Sequence, residues 1–187
     1  MLKECENPAI TWPEGKSIRD FAGFWWVAHT KSRNEKALAD DLRIKQISYF
    51  LPMCWKVRRI RGRTIKSLLP LFGGYIFFCG QEMQRVEVLR TNRVANLIEA
   101  KNQQQLIEEL SAIQQALGAG ADLAPHDYIK AGQQCRVIGG PLAGLTGIVE
   151  QTRNSMRLVL QVKMLGQAAS VEIGADMIEV IDENDQR

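Results

Sequence analysis

The sequence changes character once, near residue 120, and that change constrains the fold more than any single motif. Before it, apolar residues come in helical stripes or continuous runs. After it, seven of the chain's 15 glycines lie between Gly132 and Gly174. Leu158, Leu160, Val162 and Met164 alternate there with Val159, Gln161 and Lys163, the period of a half-buried strand. The runs Cys135–Ile138, Ile148–Glu150, Leu158–Met164, Ala169–Ile173 and Ile178–Ile181 read as five short strands, with a hairpin turn at Arg153-Asn154-Ser155. Strands at this spacing predict a small barrel. Helix is disfavoured over the same stretch, because each internal glycine costs about 1 kcal/mol relative to alanine. The 187 residues thus divide into a larger mixed domain and a small all-β one.

The first part opens with residues 1–22, which hold Pro8, Pro13 and Gly15 and little periodicity; they read as a flexible arm. Phe24-Trp25-Trp26-Val27-Ala28 is a strand rich in β-formers. Ser32-x-x-Glu35 has the spacing of a capping box, and Leu38 and Leu42 behind it predict a helix over 33–46. Tyr49 opens extended chain. Two basic strands follow, joined at Gly62, which supplies the freedom a tight turn needs. Tyr75-Ile76-Phe77-Phe78-Cys79 is a continuous apolar run, the signature of a central strand. Met83, Val86 and Leu89 suggest a short helix, and Val94–Glu99 a strand. Leu106, Leu110, Ile113 and Leu117 then form one apolar stripe, ended by Gly118. Residues 119–131 read as the linker.

Charge and composition narrow the function. Between Asp41 and Glu82 there is no acidic residue, while Arg43, Lys45, Lys56, Arg58, Arg59, Arg61, Arg63 and Lys66 are all basic. The whole chain carries only +3, so the remainder is net acidic. A block of one sign makes a local field that attracts phosphate; the alternative is a solvated face. No run approaches the ~18 apolar residues of a membrane span, and the first 22 residues do not resemble a secretory signal, which points to the cytoplasm. Cys5, Cys54, Cys79 and Cys135 form no CxxC pair, and His29 and His126 are the only histidines. Reduced, buried thiols are expected at 54, 79 and 135, and no metal or other cofactor. No nucleophilic triad spacing, phosphate-binding loop or metalloprotease motif is visible. Gly139-Gly140-Pro141-Leu142-Ala143-Gly144 lacks the Lys-Ser/Thr of a phosphate loop and precedes a strand. The chain therefore reads as a binding protein, not an enzyme.

Gly132, Arg136-Val137-Ile138, Gly140-Pro141, Gly144 and Gly147 together resemble a KOW motif. Trp25-Trp26-Val27-Ala28-His29-Thr30-Lys31-Ser32 is similar to the opening strand of the NusG amino-terminal domain. Pro70-Leu71-Phe72-Gly73-Gly74-Tyr75-Ile76-Phe77 resembles that family's P-L-F-P-G-Y-V-F segment, with Gly73 in place of the second proline. Val88-Leu89-Arg90-Thr91-Asn92-Arg93-Val94 resembles its LR…PGV segment. The order of these motifs resembles a NusG-type transcription factor, including specialised RfaH-like paralogues.

The resemblance implies an α+β amino-terminal domain over 23–118, an antiparallel sheet flanked by helices, and an SH3-like KOW barrel over 132–182 with a 183–187 tail. It implies a monomeric factor that binds the β′ clamp helices of RNA polymerase, with β as a second contact. Such a factor favours processive elongation and antitermination, and recruits Rho or a small-subunit ribosomal protein through the barrel. By this resemblance Phe72, Tyr75, His29 and Phe77 fall at the polymerase contact. The residues themselves favour Phe72 and Tyr75 as exposed anchors and Phe77 as core. Lys31, Arg58, Arg59, Arg61 and Arg63 are candidates for upstream or non-template DNA. The barrel's partner site maps onto Met164, Leu165 and Gln167, where the family's FGR ending reads Leu165-Gly166-Gln167. A KOW-containing ribosomal or RNA-binding protein is the alternative, although it would lack the Phe24–Lys31 and Pro70–Phe77 segments.

Overall fold

The structure is a computed structural model that describes residues 7–60, 63–129, 132–152 and 155–181. Cys5, the Arg61-Gly62 tip, Arg153-Asn154 and the 183–187 tail lie outside the described residues. The chain divides into two compact units, 1–107 and 108–187.

The first unit is built on a five-stranded antiparallel sheet. In chain order its elements are β1 (Thr11–Trp12), β2 (Phe24–Thr30), α1 (Glu35–Ile44), β3 (Ser48–Phe50), β4 (Met53–Ile60), β5 (Arg63–Pro70), β6 (Tyr75–Gly80), α2 (Glu82–Arg90) and β7 (Val94–Glu99). The sheet order is β1-β3-β6-β2-β7, and β4 pairs with β5 as a separate two-stranded ribbon. The apolar run 75–79 thus occupies the middle of the sheet, as its continuous hydrophobicity predicts. One face packs Trp26, Ala28, Tyr49, Ile76 and Phe78 against Leu38, Ala39 and Leu42 of α1 and Val88 of α2. The register places Trp25, Val27, Phe50, Phe77 and Cys79 on the other face, and all five are buried. Burial of each large side chain contributes about 1.5–3 kcal/mol.

Residues 7–22 are not a loose arm. β1 pairs with β3, Thr11 opposite Phe50; Ile18 is fully buried; Phe21 stacks on Trp25 at 5.4 Å. Short apolar residues without periodicity were enough to complete the sheet edge. The capping box expected at Ser32 is also absent. α1 begins at Glu35 with Asn34 at its N-cap and no side-chain cap bond: the Asn34 Oδ1 accepts from Arg93 at 3.0 Å, and the Glu35 carboxylate accepts from the Gly74 backbone N–H at 2.7 Å. A reciprocal capping box forms instead at Gln81 and Gln84 of α2.

α3 (Gln103–Gly118) buries Leu106, Leu110 and Ile113, as its stripe predicts. It crosses the boundary between units, which falls at 107/108 and not at 118. Gly120, not Gly118, adopts the left-handed conformation, at φ 77°. Ala121 N–H donates to Ala116 O at 3.0 Å and Gly120 N–H to Leu117 O at 3.0 Å, the paired bonds that close a helix end.

The second unit carries a six-stranded antiparallel sheet. Its strands are β8 (Ala124–His126), β9 (Gln133–Val137), β10 (Thr146–Gln151), β11 (Met156–Val162), β12 (Gln167–Ile173) and β13 (Ile178–Val180), in the order β13-β9-β10-β11-β12-β8. The strand β8 lies inside the expected linker and pairs with β12, Pro125 opposite Ala169. β11 is buried on both faces: Leu158, Leu160 and Val162 on one, Val159 on the other. Val159 packs with Ile148 and Ala168 under Ile129, so the segment before β9 covers what would have been a solvent face.

Candidate functional site

The candidate residues fall in three places, which differ in exposure and packing. The first lies at the end of β2 and β6. His29 and Tyr75 are directly opposite in the register, which puts both rings on the second sheet face. They stack at 5.0 Å with 26° between planes. His29 is exposed and Tyr75 half-buried. Asn96 and Ile98 of β7 sit on the same face, opposite His29 and Val27; Asn96 is exposed and Ile98 partly so. Neither carries a motif, and only the strand register could have found them.

The turn before β6 is fixed from several sides. Tyr75 N–H donates to Phe72 O at 3.1 Å, and Thr30 N–H to Gly74 O at 2.8 Å. Gly74 has φ 85°. A Cβ there would lie 3.5 Å from the His29 ring, an ordinary contact, so it is the left-handed conformation that calls for glycine. The turn directs Phe72 inward. It is 1% exposed and meets Phe77 edge-on at 6.1 Å; Phe77 is fully buried and tilted on Phe50 at 6.3 Å. The expectation that Phe72 anchors a partner is therefore corrected: Phe72 and Phe77 are core. Only His29 and Tyr75 of the four present surface.

The second place is the β4–β5 ribbon. Lys56, Arg58, Arg59, Arg63 and Lys66 are all exposed, and no ion pair among the described residues involves them. The root is held by Met53 and Leu68 in the core and by Lys36, whose ammonium donates to Leu68 O at 2.5 Å. Burial lowers the Lys36 pKa. Arg59 pairs with Thr64 and Ile60 with Arg63, so Arg59 and Arg63 gather near the outer end. Lys31 is not part of this ribbon: it follows β2 and donates to Asn92 Oδ1 at 2.7 Å.

The third place is the glycine-rich segment of the second unit, and here each glycine has a separate reason. A Cβ on Gly132 would lie 2.3 Å from Ile148 Cγ2, and one on Gly147 2.8 Å from Val159 O. Gly140 and Gly144 have φ of 73° and 86°. Arg136 and Pro141 are exposed. Met164 and Leu165 fall in a 3₁₀ turn, Lys163–Leu165, not in the strand expected to run to 164. With Gln167 they are half-buried at the β11–β12 connection.

The thiols of Cys54, Cys79 and Cys135 are buried and unpaired with one another. Among the described residues no cluster of His, Cys, Asp and Glu is placed to hold a metal, and no helix is long and apolar enough to cross a membrane.

Residues 23–114 match the family described as transcription termination factor NusG. No curated protein matches the chain. Among solved structures, the chain is similar to one described as domain interaction in Thermotoga maritima NusG, at 16% identity and a TM-score of 0.46, over 85% of this chain and 97% of that one. It is also similar to a chain of an MjSpt4:Spt5 complex, at 14% identity and a TM-score of 0.28, over 85% and 97%.

Proposed function

We propose, from the match of residues 23–114 to the NusG family, that this chain is a transcription elongation factor. It binds RNA polymerase through the first unit, at the β′ clamp helices, and favours processive elongation. The family match carries the reading, and the exposed His29–Tyr75 stack supplies the surface. Stacked rings on a sheet face lose little side-chain freedom when a partner covers them, which suits a hot spot. Asn96 and Ile98 extend that surface across β7.

The remaining roles follow the same reading. The ribbon cations Arg58, Arg59 and Arg63 meet upstream or non-template DNA through phosphates, with little dependence on sequence. The second unit serves as a KOW barrel that recruits Rho or a small-subunit ribosomal protein through Met164, Leu165 and Gln167. The factor acts in the bacterial cytoplasm, as a monomer, by binding and without catalysis or cofactor.

Co-purification tests this. The tagged full-length chain is expected to bring down the β and β′ subunits, and His29→Ala/Tyr75→Ala is expected to lose them while remaining folded. Recovery of ribosomal subunits without polymerase would overturn the reading in favour of an RNA-binding protein.

A further inference from the structure

The β4–β5 ribbon has two unlike faces. Cross-strand partners share a face, so Trp55 with Leu68, Val57 with Lys66 and Arg59 with Thr64 form one surface. Lys56 with Ser67 and Arg58 with Ile65 form the other. Trp55 is 45% exposed and Val57 58% exposed. The first face therefore shows an indole flanked outward by Lys66 and Arg59, with no acidic residue anywhere on the ribbon.

We propose that this face binds single-stranded DNA by stacking an unpaired base on Trp55, while Lys66 and Arg59 hold neighbouring phosphates. This rests on the DNA reading given above and names the form of DNA. The physical reason is the indole. An exposed π face beside cations is the pairing that single strands use, because every unstacked base offers a π face and a tracked backbone. In a duplex those faces are already stacked on one another, and a ribbon entering a groove meets base edges instead. Trp55 to Arg59 spans about 13 Å at ~3.3 Å per residue, room for a base and the phosphates beside it. A protein partner would need acidic groups to meet five exposed cations, whereas a nucleic-acid strand brings them at every nucleotide.

The test uses the full-length chain, and fluorescence anisotropy with fluorescein-labelled dT12, a 12-base-pair duplex and rU12 across a salt series. The parent chain is expected to bind dT12 more tightly than the duplex or rU12. Trp55→Ala should weaken dT12 binding about tenfold, with duplex affinity and salt slope unchanged. Trp55→Phe should keep most of the affinity, and Trp55→Leu, which keeps apolar bulk without a π face, should behave like Trp55→Ala. Arg59→Gln/Lys66→Gln should lower the slope by roughly 1.4, at ~0.7 per phosphate on single strands. Parental dT12 affinity in Trp55→Ala or in Trp55→Leu overturns the stacking. No measurable dT12 binding by the parent chain, or tighter binding of rU12, overturns it as well. If stacking fails but the cation pair still changes the slope, the ribbon is a phosphate surface and the broader DNA reading stands. If neither acts, both fall.

Discussion

Replacing Phe72 by alanine separates core from surface at the candidate polymerase contact. Phe72, Phe77 and Phe50 are each no more than 1% exposed, and the Phe77 ring lies 6.1 Å from that of Phe72 and 6.3 Å from that of Phe50. Truncating a buried Phe removes its transfer energy and leaves a cavity, about 3–5 kcal/mol together. A unit of this size has roughly 5–15 kcal/mol in total, so Phe72→Ala should bring the first unit close to unfolding. Tyr75→Ala removes a half-exposed ring stacked on His29, worth about 0.5–1.5 kcal/mol as a pair. All four tryptophans, 12, 25, 26 and 55, lie within residues 1–107, so tryptophan fluorescence in a urea titration reports that unit alone. The expected order is a large fall in midpoint for Phe72→Ala and a small one for Tyr75→Ala. Polymerase affinity should show the reverse preference in folded protein, with Tyr75→Ala losing about 2–4 kcal/mol if it is a hot spot. A Phe72→Ala loss under ~1 kcal/mol, or a larger one for Tyr75→Ala, would refute the assignment of the two rings.

The Tyr49 hydroxyl is buried without a hydrogen-bond partner among the described residues; Tyr49→Phe removes a desolvation cost of ~1–3 kcal/mol and should raise the urea midpoint or leave it unchanged. A Cβ at Gly147 would press on Val159 O at 2.8 Å and Leu158 Cδ1 at 2.9 Å, so Gly147→Ala should destabilise the second unit by about 1–3 kcal/mol, read by far-ultraviolet circular dichroism melts. Burial pushes the Cys79 thiol from 9.0 to about 11 and the Tyr49 phenol from 10.0 to about 12. The unfolded chain releases these protons first, so stability should be intact below pH 9 and fall as pH rises through 9–12; a midpoint that is flat or rising over that window would contradict the burial of both groups.

Periodicity located nearly every element but not always the face it turns inward. β6 and α3 were legible because their apolar runs are long and unambiguous. The helix α2 was legible, but its inward face was not. Met83, Val86 and Leu89 suggest the helix, yet they are 76%, 38% and 44% exposed, while Val88 is fully buried. Three residues spaced by three spread over about a third of the helix circumference at 3.6 residues per turn, so the spacing does not choose a face. Tertiary contact chooses it: Val88 enters the core and Arg85 lies over the Trp26 ring at 5.4 Å. The same competition removed the capping box at Ser32, where a backbone N–H from Gly74 claims Glu35. In the second unit the glycines of the KOW-like motif were legible as a pattern, while their separate reasons, close approach at 132 and 147 and positive φ at 140 and 144, depend on the fold.

The candidate site shows the same limit in a form that changes its chemistry. An aromatic beside two glycines reads as exposed, since glycine turns sit at the surface. Here the bond from Tyr75 N–H to Phe72 O closes the turn so that Phe72 faces the sheet. Side-chain direction through a turn follows no period, so nothing in the local sequence separates this outcome from its opposite. Direction is regained only when β6 begins, and from there the alternation is strict: Tyr75 and Phe77 share a face, and depth under the covering segments decides their roles. Phe77 lies where Phe50 and Phe72 cover it; Tyr75 lies at the strand's open end, beyond them, with His29. The accessible surface is thus two stacked rings, not four aromatics. Two rings make a small anchor, so a stable interface here needs the neighbouring strand as well. Asn96 and Ile98 of β7 are the residues the register brings to that edge. A partner helix laid across β6, β2 and β7 would meet Tyr75, His29 and Asn96 in one row, with the exposed amide able to donate and accept beside the rings.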